Sequence, residues 1–314
     1  MAKRVGLSIY GLSLYDGEKK INLNNVKDSK SIVQLIKEHI DDNGQDYDND
    51  IARERVSTFT DVEYEEVKVD NKKEYSIIYG LLKTGEYGVQ SELFDVHDKS
   101  VYNKKTTQAE INPFGFCIAL AKGDKTKAVV ILQTFGNLGI KTVFRQYLEK
   151  WKKFNKLDYG IMMDALYPIQ YIRRVLHSGI LQKIRMIKYE VPEDVSNRLH
   201  IDNGVKMKEE RILYKPSGFI RNNIKKIEEF FSGQRSSTQI VEIPDFDFDQ
   251  LKFEFSLNGK SKTINFDNTQ NLRVNEDITD HVTMDNGNPT FQSLKVCLID
   301  TAYEYLKLTG FVVD

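Results

Sequence analysis

Phe116-Cys117-Ile118-Ala119-Leu120-Ala121 and Ala128-Val129-Val130-Ile131-Leu132, separated by Lys122-Gly123-Asp124-Lys125-Thr126-Lys127, form the clearest local unit of the chain. Two apolar runs of strand length around a short polar linker containing glycine read as a β-hairpin. The second run shows no polar alternation, so it is expected to be buried on both faces. A helix is expected directly afterwards, over about 140–154. There Val143, Phe144, Tyr147, Leu148 and Trp151 recur at helical spacing.

Upstream of this unit, residues 3–15 read as a strand ending at the turn-like Asp16-Gly17. Ser29 to Ile40 reads as a helix with Ile32, Leu35, Ile36 and Ile40 on one face. Asp41 to Asp50 has loop composition, and 62–96 an extended pattern punctuated by Gly80, Gly85 and Gly88. Downstream, Pro168 to Leu176 suits a helix with proline in its first turn. Leu181 to Val191 alternates as a strand, with Ile184, Met186 or Ile187, and Tyr189 as core candidates. A short helix is expected near Pro192-Glu193-Asp194, a strand over Glu209–Tyr214 and an amphipathic helix over Phe219–Phe231. Leu251 to Phe266 is a second hairpin, because Leu251, Phe253, Phe255 and Leu257 alternate with polar residues and Asn258-Gly259 suits a two-residue turn. Phe291 to Leu308 closes the chain as a helix. This order predicts an α+β fold with mixed or antiparallel sheets and packed helices, in two subdomains. The expected division is a β-rich α+β domain over 1–157 and a second α+β domain over 158–314.

The formal charge of −1 conceals strong sorting along the chain. Residues 41–100 carry sixteen acids against seven bases, 141–190 eleven bases against four acids, and 242–314 thirteen acids against six bases. Such sorting bears on partners and association rather than on fold. With 40% hydrophobic residues a real core is expected. Cys117 and Cys297 sit in separate apolar runs, which reads as two buried thiols in a reducing compartment. The N-terminus reads as a strand rather than a signal peptide, and no run approaches the length of a membrane span. A cytoplasmic protein without a membrane partner is expected.

The stretch Gly136-Asn137-Leu138-Gly139-Ile140-Lys141 joins a strand to a helix. Its glycines let backbone N–H groups approach an anion, and Lys141 supplies a point charge. The spacing is not that of a Walker A loop. Arg145, Lys150 and Lys153 follow on the same helix, then Arg173, Arg174, Lys183 and Arg185. Together these ten positions, Gly136 and Gly139 included, are the candidate nucleic-acid or anion-binding set. Clustered cations serve phosphate contacts, and the aromatic residues among them could stack on bases. The bland alternative is a set of solvated cations, some of them paired with the acidic flanks.

Asp245, Asp247 and Asp249 alternate with Phe246 and Phe248, and with Glu254 they form a candidate Mg²⁺ site of nuclease type. The alternative is an exposed polar face with both phenylalanines buried. The five histidines have no metal-ligand spacing, and no nucleophile elbow or Rossmann glycine triplet occurs. No cofactor is expected.

Tyr79-Gly80-Leu81-Leu82-Lys83, Pro113-Phe114-Gly115-Phe116 and Ile131 to Lys141 together resemble a group of uncharacterised bacterial proteins found among phage-defence and mobile-element genes. The resemblance covers about residues 75–155 and implies a setting in antiviral or mobile-element biology, with no catalytic residue to carry over. The leading expectation is a protein that binds nucleic acid or another polyanion through its basic middle. The alternatives are a metal-dependent nuclease, and a protein-binding module that self-associates as a homo-oligomer through its opposite charges.

Overall fold

The computed structural model describes residues 4–44, 46–69, 72–166, 169–189, 208–244, 246–257, 260–266 and 273–308. The expected helix at Pro192, the Asn258-Gly259 turn, Pro168 and Asp245 lie outside these residues. The fold is α+β, and the strand pairs with a defined register are antiparallel. The chain divides into two compact units, one of residues 1–5, 10–164 and 279–314, the other of residues 6–9 and 165–278. The expected division after residue 157 assigns the last segment to the second domain, whereas 279–314 clusters with the first unit.

The first unit begins with β1 (Val5–Asp16) and the short β2 (Lys19–Lys20), then α1 (Ile32–Asn43). Ser31 starts α1 with a reciprocal cap. Its hydroxyl accepts from the Gln34 N–H at 3.2 Å, and the Gln34 side chain accepts from the Ser31 N–H at 2.9 Å. Asp41-Asp42-Asn43, expected in a loop, form the last turn of this helix, and the Gly44 N–H closes on the Ile40 carbonyl at 2.8 Å. Next come β3 (Asp48–Asp50), the long β4 (Arg55–Val69) and β5 (Lys72–Glu86), and a two-stranded hairpin of β6 (Ser91–Phe94) and β7 (Val101–Lys104). β8 (Asn112–Ala121) and β9 (Ala128–Phe135) are the expected hairpin. After β10 (Leu138–Gly139) come α2 (Lys141–Phe154) and β11 (Gly160–Ala165). The strand order in this unit is β1-β9-β8-β5-β4-β3.

β8 shows how this sheet is covered. Its residues Phe114, Phe116, Ile118 and Leu120 join one core with Ile32, Ile36 and Ile40 of α1 and Phe144, Leu148 and Trp151 of α2. The alternate positions, Gly115, Cys117, Ala119 and Ala121, are small and also buried. A side chain at Gly115 would bring a Cβ within 2.6 Å of Leu294 on the C-terminal helix, so the small residues let that helix lie close to the strand.

In the second unit, α3 (Ile169–Ser178) leads into β12 (Ile180–Lys188). β13 (Glu209–Tyr214), α4 (Phe219–Phe231), β14 (Gln250–Leu257), β15 (Lys260–Asn265) and β16 (Arg273–Asp277) follow. The order is β13-β12-β14-β15-β16, and residues 6–8 of β1 pair with β16. Period-two burial along β14 sends Leu251, Phe253 and Phe255 into the core. Phe253 meets Phe219 of α4 edge-on at 5.6 Å and Phe266 at 4.6 Å, and Phe230 of α4 lies 5.5 Å from Phe266. Ile184, Met186 and Ile187 are buried as expected, but Tyr189 is exposed, its hydroxyl donating to Gln250 at 3.0 Å instead of entering the core. On the core face Lys262 and Glu276 stand directly opposite each other, 2.5 Å apart and 2% and 0% exposed.

The last described element is α5 (Phe291–Leu308), which packs on β8 and β9 of the first unit with Leu294, Cys297, Leu298, Ala302 and Tyr305 buried. Both cysteines are buried thiols outside any disulfide among the described residues, and burial pushes the Cys117 thiol well above its ordinary range. No helix among the described residues is long and apolar enough to cross a membrane.

Candidate functional site

The Gly136–Lys141 stretch is not an anion cradle at a helix start. Leu138 pairs with Phe135 and Gly139 with Thr134, so Gly136-Asn137 is the two-residue turn of a tight hairpin. Gly136 has φ +59°, the conformation this turn asks of its first central residue, and its N–H already donates to the Arg4 carbonyl at 2.8 Å. Lys141 begins α2 with its ammonium 4.8 Å from the Tyr10 ring centre. Along α2, Trp151 is fully buried, and Lys150 is paired with Asp48 from the acidic segment. Arg145 and Lys153 are exposed and make no ion pair among the described residues.

The remaining candidates belong to the second unit. Arg173 of α3 clamps the Glu228 carboxylate with two hydrogen bonds of 3.1 and 2.8 Å, while Arg174 beside it is exposed. Lys183 and Arg185 do line one face of β12, but they converge on Glu254 of β14 at 3.1 and 3.0 Å. Arg185 also reaches Glu210 of β13 at 2.5 Å. This hydrogen bond from Arg185 holds the Glu210 carboxyl down at about 2, helped by Lys208. The basic middle therefore does not present all of its charge to solvent. Lys150, Arg173, Lys183 and Arg185 are neutralised inside the unit in which each lies, three of them by acids of the flanking segments.

The carboxylates of the candidate metal site are likewise committed or dispersed. Glu254 is only 11% exposed and bound to its two cations. Asp249 accepts from the Tyr189 N–H at 2.7 Å. Phe246 and Phe248 are buried while Asp247 and Asp249 face solvent, as an amphipathic edge requires. Among the described residues no group of three or more His, Cys, Asp or Glu side chains could hold a metal ion.

Two cavities carry more chemistry than these motifs. In the second unit a cleft of about 760 Å³ lies between the α3–β12 junction and the start of α4. Its floor includes Leu176, Leu181 and Phe219, and among the described residues its charged or titratable lining consists of His177, Lys215 and Arg221, with no carboxylate. Lys215 and Arg221 are exposed and make no ion pair among the described residues. Gly218, at φ +78°, caps α4 without a side chain, so no side-chain oxygen of the capping residue serves this helix N-terminus, although the Phe219 N–H donates to the Pro216 carbonyl at 3.2 Å. Backbone N–H groups and the helix field there both favour an anion. Lys215 and Arg221 lie outside the basic segment and escape a count of local charge. The signal that could have found them is Pro216-Ser217-Gly218 placed directly before an amphipathic helix with basic residues on either side.

In the first unit a smaller cavity of about 250 Å³ lies between α1, the β3–β4 hairpin and α2. It is lined by His39, Phe59, Tyr147 and Phe154, with Asp46, Asp48 and Lys150 as its charges. Burial pushes His39 below the usual imidazole range, opposed by the charge of Asp42, so its ring favours the neutral form.

No family model matches the chain, and no curated protein matches it.

Proposed function

We propose that this protein binds a polyanion, nucleic acid foremost, through the cleft at the N-terminus of α4. The observation that carries the reading is the lining itself, in which Lys215, Arg221 and His177 surround about 760 Å³ with no carboxylate among the described residues. Phosphate contacts need cations that are not already spent on the protein's own acids. Lys215 and Arg221 meet that condition, whereas Arg173, Lys183 and Arg185 in the same unit do not. Arg174 is exposed on the helix that contributes Leu176 and His177, and it extends the positive character beyond the cleft. The apolar floor offers surface on which a base can rest. A setting in conflict between host and mobile element belongs to the same proposal and is supported by the pattern of residues 75–155 alone.

The test is retention on single-stranded DNA or RNA at about 50 and 200 mM salt, where each phosphate contact steepens the salt dependence. Charge reversal of Lys215 and Arg221 together is expected to flatten the log–log salt slope by about 2 and to weaken retention at low salt. Charge reversal of Arg145 and Lys153 on α2 is the control, and it should change retention less. If the parent shows no salt-dependent retention, or the Lys215/Arg221 variant binds as the parent does, the cleft is not the site.

A further inference from the structure

The smaller cavity of the first unit has a different chemistry. One wall is a row of rings, with Phe59 4.5 Å from Tyr147, Tyr147 5.6 Å from His39, and His39 4.8 Å from Phe154 between ring centres. Phe154 is 57% exposed although it lines the cavity, so a large apolar ring is left for an occupant to cover. The charges are two carboxylates and one ammonium, and the ammonium of Lys150 is already paired with Asp48. Asp46 makes no ion pair among the described residues. The Tyr147 hydroxyl is buried and has no hydrogen-bond partner in the protein.

We propose that this cavity binds a small organic cation, an amine or a guanidine, held between the aromatic row and Asp46. Ring faces attract cations, and the surplus carboxylate gives that cation a counter-charge. A free anion would meet Asp46 and Asp48, and a purely apolar ligand would leave Asp46 unserved. The volume lies below the range of about 300–1,000 Å³ usual for drug-sized ligands, which favours a compact molecule over a nucleotide. This site shares no residue with the cleft of the second unit, so either proposal stands without the other.

The experiment is a calorimetric titration of the full chain with benzylamine, agmatine and choline, and with inorganic phosphate as the opposing probe. Trp151, the single tryptophan, lies one helical turn from Tyr147 and gives a second readout by fluorescence. Saturable binding of at least one cation is expected, weakened about tenfold by Asp46→Asn and by Phe154→Ala. Both positions are exposed, and thermal melts will show whether each variant keeps its fold. If Phe154→Ala melts early, Asp46→Asn alone decides. No saturable binding of any of the three cations up to about 10 mM, cation binding indifferent to the substitutions, or phosphate binding lost in Lys150→Ala would each overturn the proposal.

Discussion

The two cavities invert what the charge map of the sequence suggests. The first unit contains α2, the most basic helix of the basic segment, yet the cavity beside that helix has a surplus carboxylate. The second unit holds acids of the C-terminal flank, yet among the described residues its cleft has cations and no carboxylate. The difference lies in pairing. Lys150 is answered by Asp48, and Glu254 is answered by Lys183 and Arg185, so local excess cancels across long sequence separations. What remains for a ligand is the charge that the fold does not consume, and in the second unit that charge comes from Lys215 and Arg221, outside the basic segment.

The sharpest way to break this comparison is Glu254→Ala. Glu254 is nearly buried, and its loss leaves Arg185 and Lys183 facing each other without their shared carboxylate. Urea unfolding should show a loss of about 2 kcal/mol, below the 3–5 kcal/mol of a fully buried pair because both cations reach solvent. The same variant should bind polyanions more strongly than the parent, since Lys183 is released and Arg185 keeps only Glu210. Unchanged stability and unchanged retention would mean that internal neutralisation is not what silences these residues.

A smaller effect is expected at Glu210. Its folded carboxyl sits at about 2, below the unfolded glutamate value of about 4.3, so it stabilises the fold fully above pH 4.3. That contribution is lost as pH falls from about 4.3 through about 2. Glu210→Gln should cost about 1 kcal/mol at neutral pH and flatten the acid limb of the unfolding curve in that window, as followed by circular dichroism. An acid limb identical to the parent's would remove Glu210 from the network. Smallest of all is Lys150→Ala. Its partner Asp48 is exposed, and the loss should be about 0.5 kcal/mol or less and vanish at about 1 M salt. A larger, salt-resistant loss would show that the pair braces the cavity wall.

Much of the scaffold is legible in the sequence because it follows from local period. The β8–β9 hairpin, the apolar faces of α1 and α2, the alternation in β14 and the helix α5 all sit at the expected residues. Tyr189 fails because alternation continues into it while the strand ends at Lys188, which frees the ring to bond Gln250 instead. The Gly136–Lys141 stretch fails for a related reason. Leu138-Gly139 turns back onto β9 before the helix begins, a pairing of two residues too short for any periodicity to announce. Of the ten candidate binding residues, Lys150, Arg173, Lys183 and Arg185 turn out to be paired with acids 102, 55, 71 and 69 positions away, and Arg185 with Glu210, 25 positions away, as well. No local window holds both partners.

The Lys262–Glu276 pair has a consequence for how β15 and β16 find each other. The two residues are direct cross-strand neighbours on the core face, where Lys262 also stands opposite Phe255 of β14 and Glu276 opposite Leu7 of β1. Sliding either strand by two residues preserves its buried face and most of its apolar contacts, so hydrophobic pattern alone does not forbid that slip. It would, however, set Lys262 and Glu276 apart in a water-free interior, each charge alone, which is far costlier than keeping them together. The pair acts as a two-pin key: it adds little to the native alignment but makes every neighbouring alignment wrong.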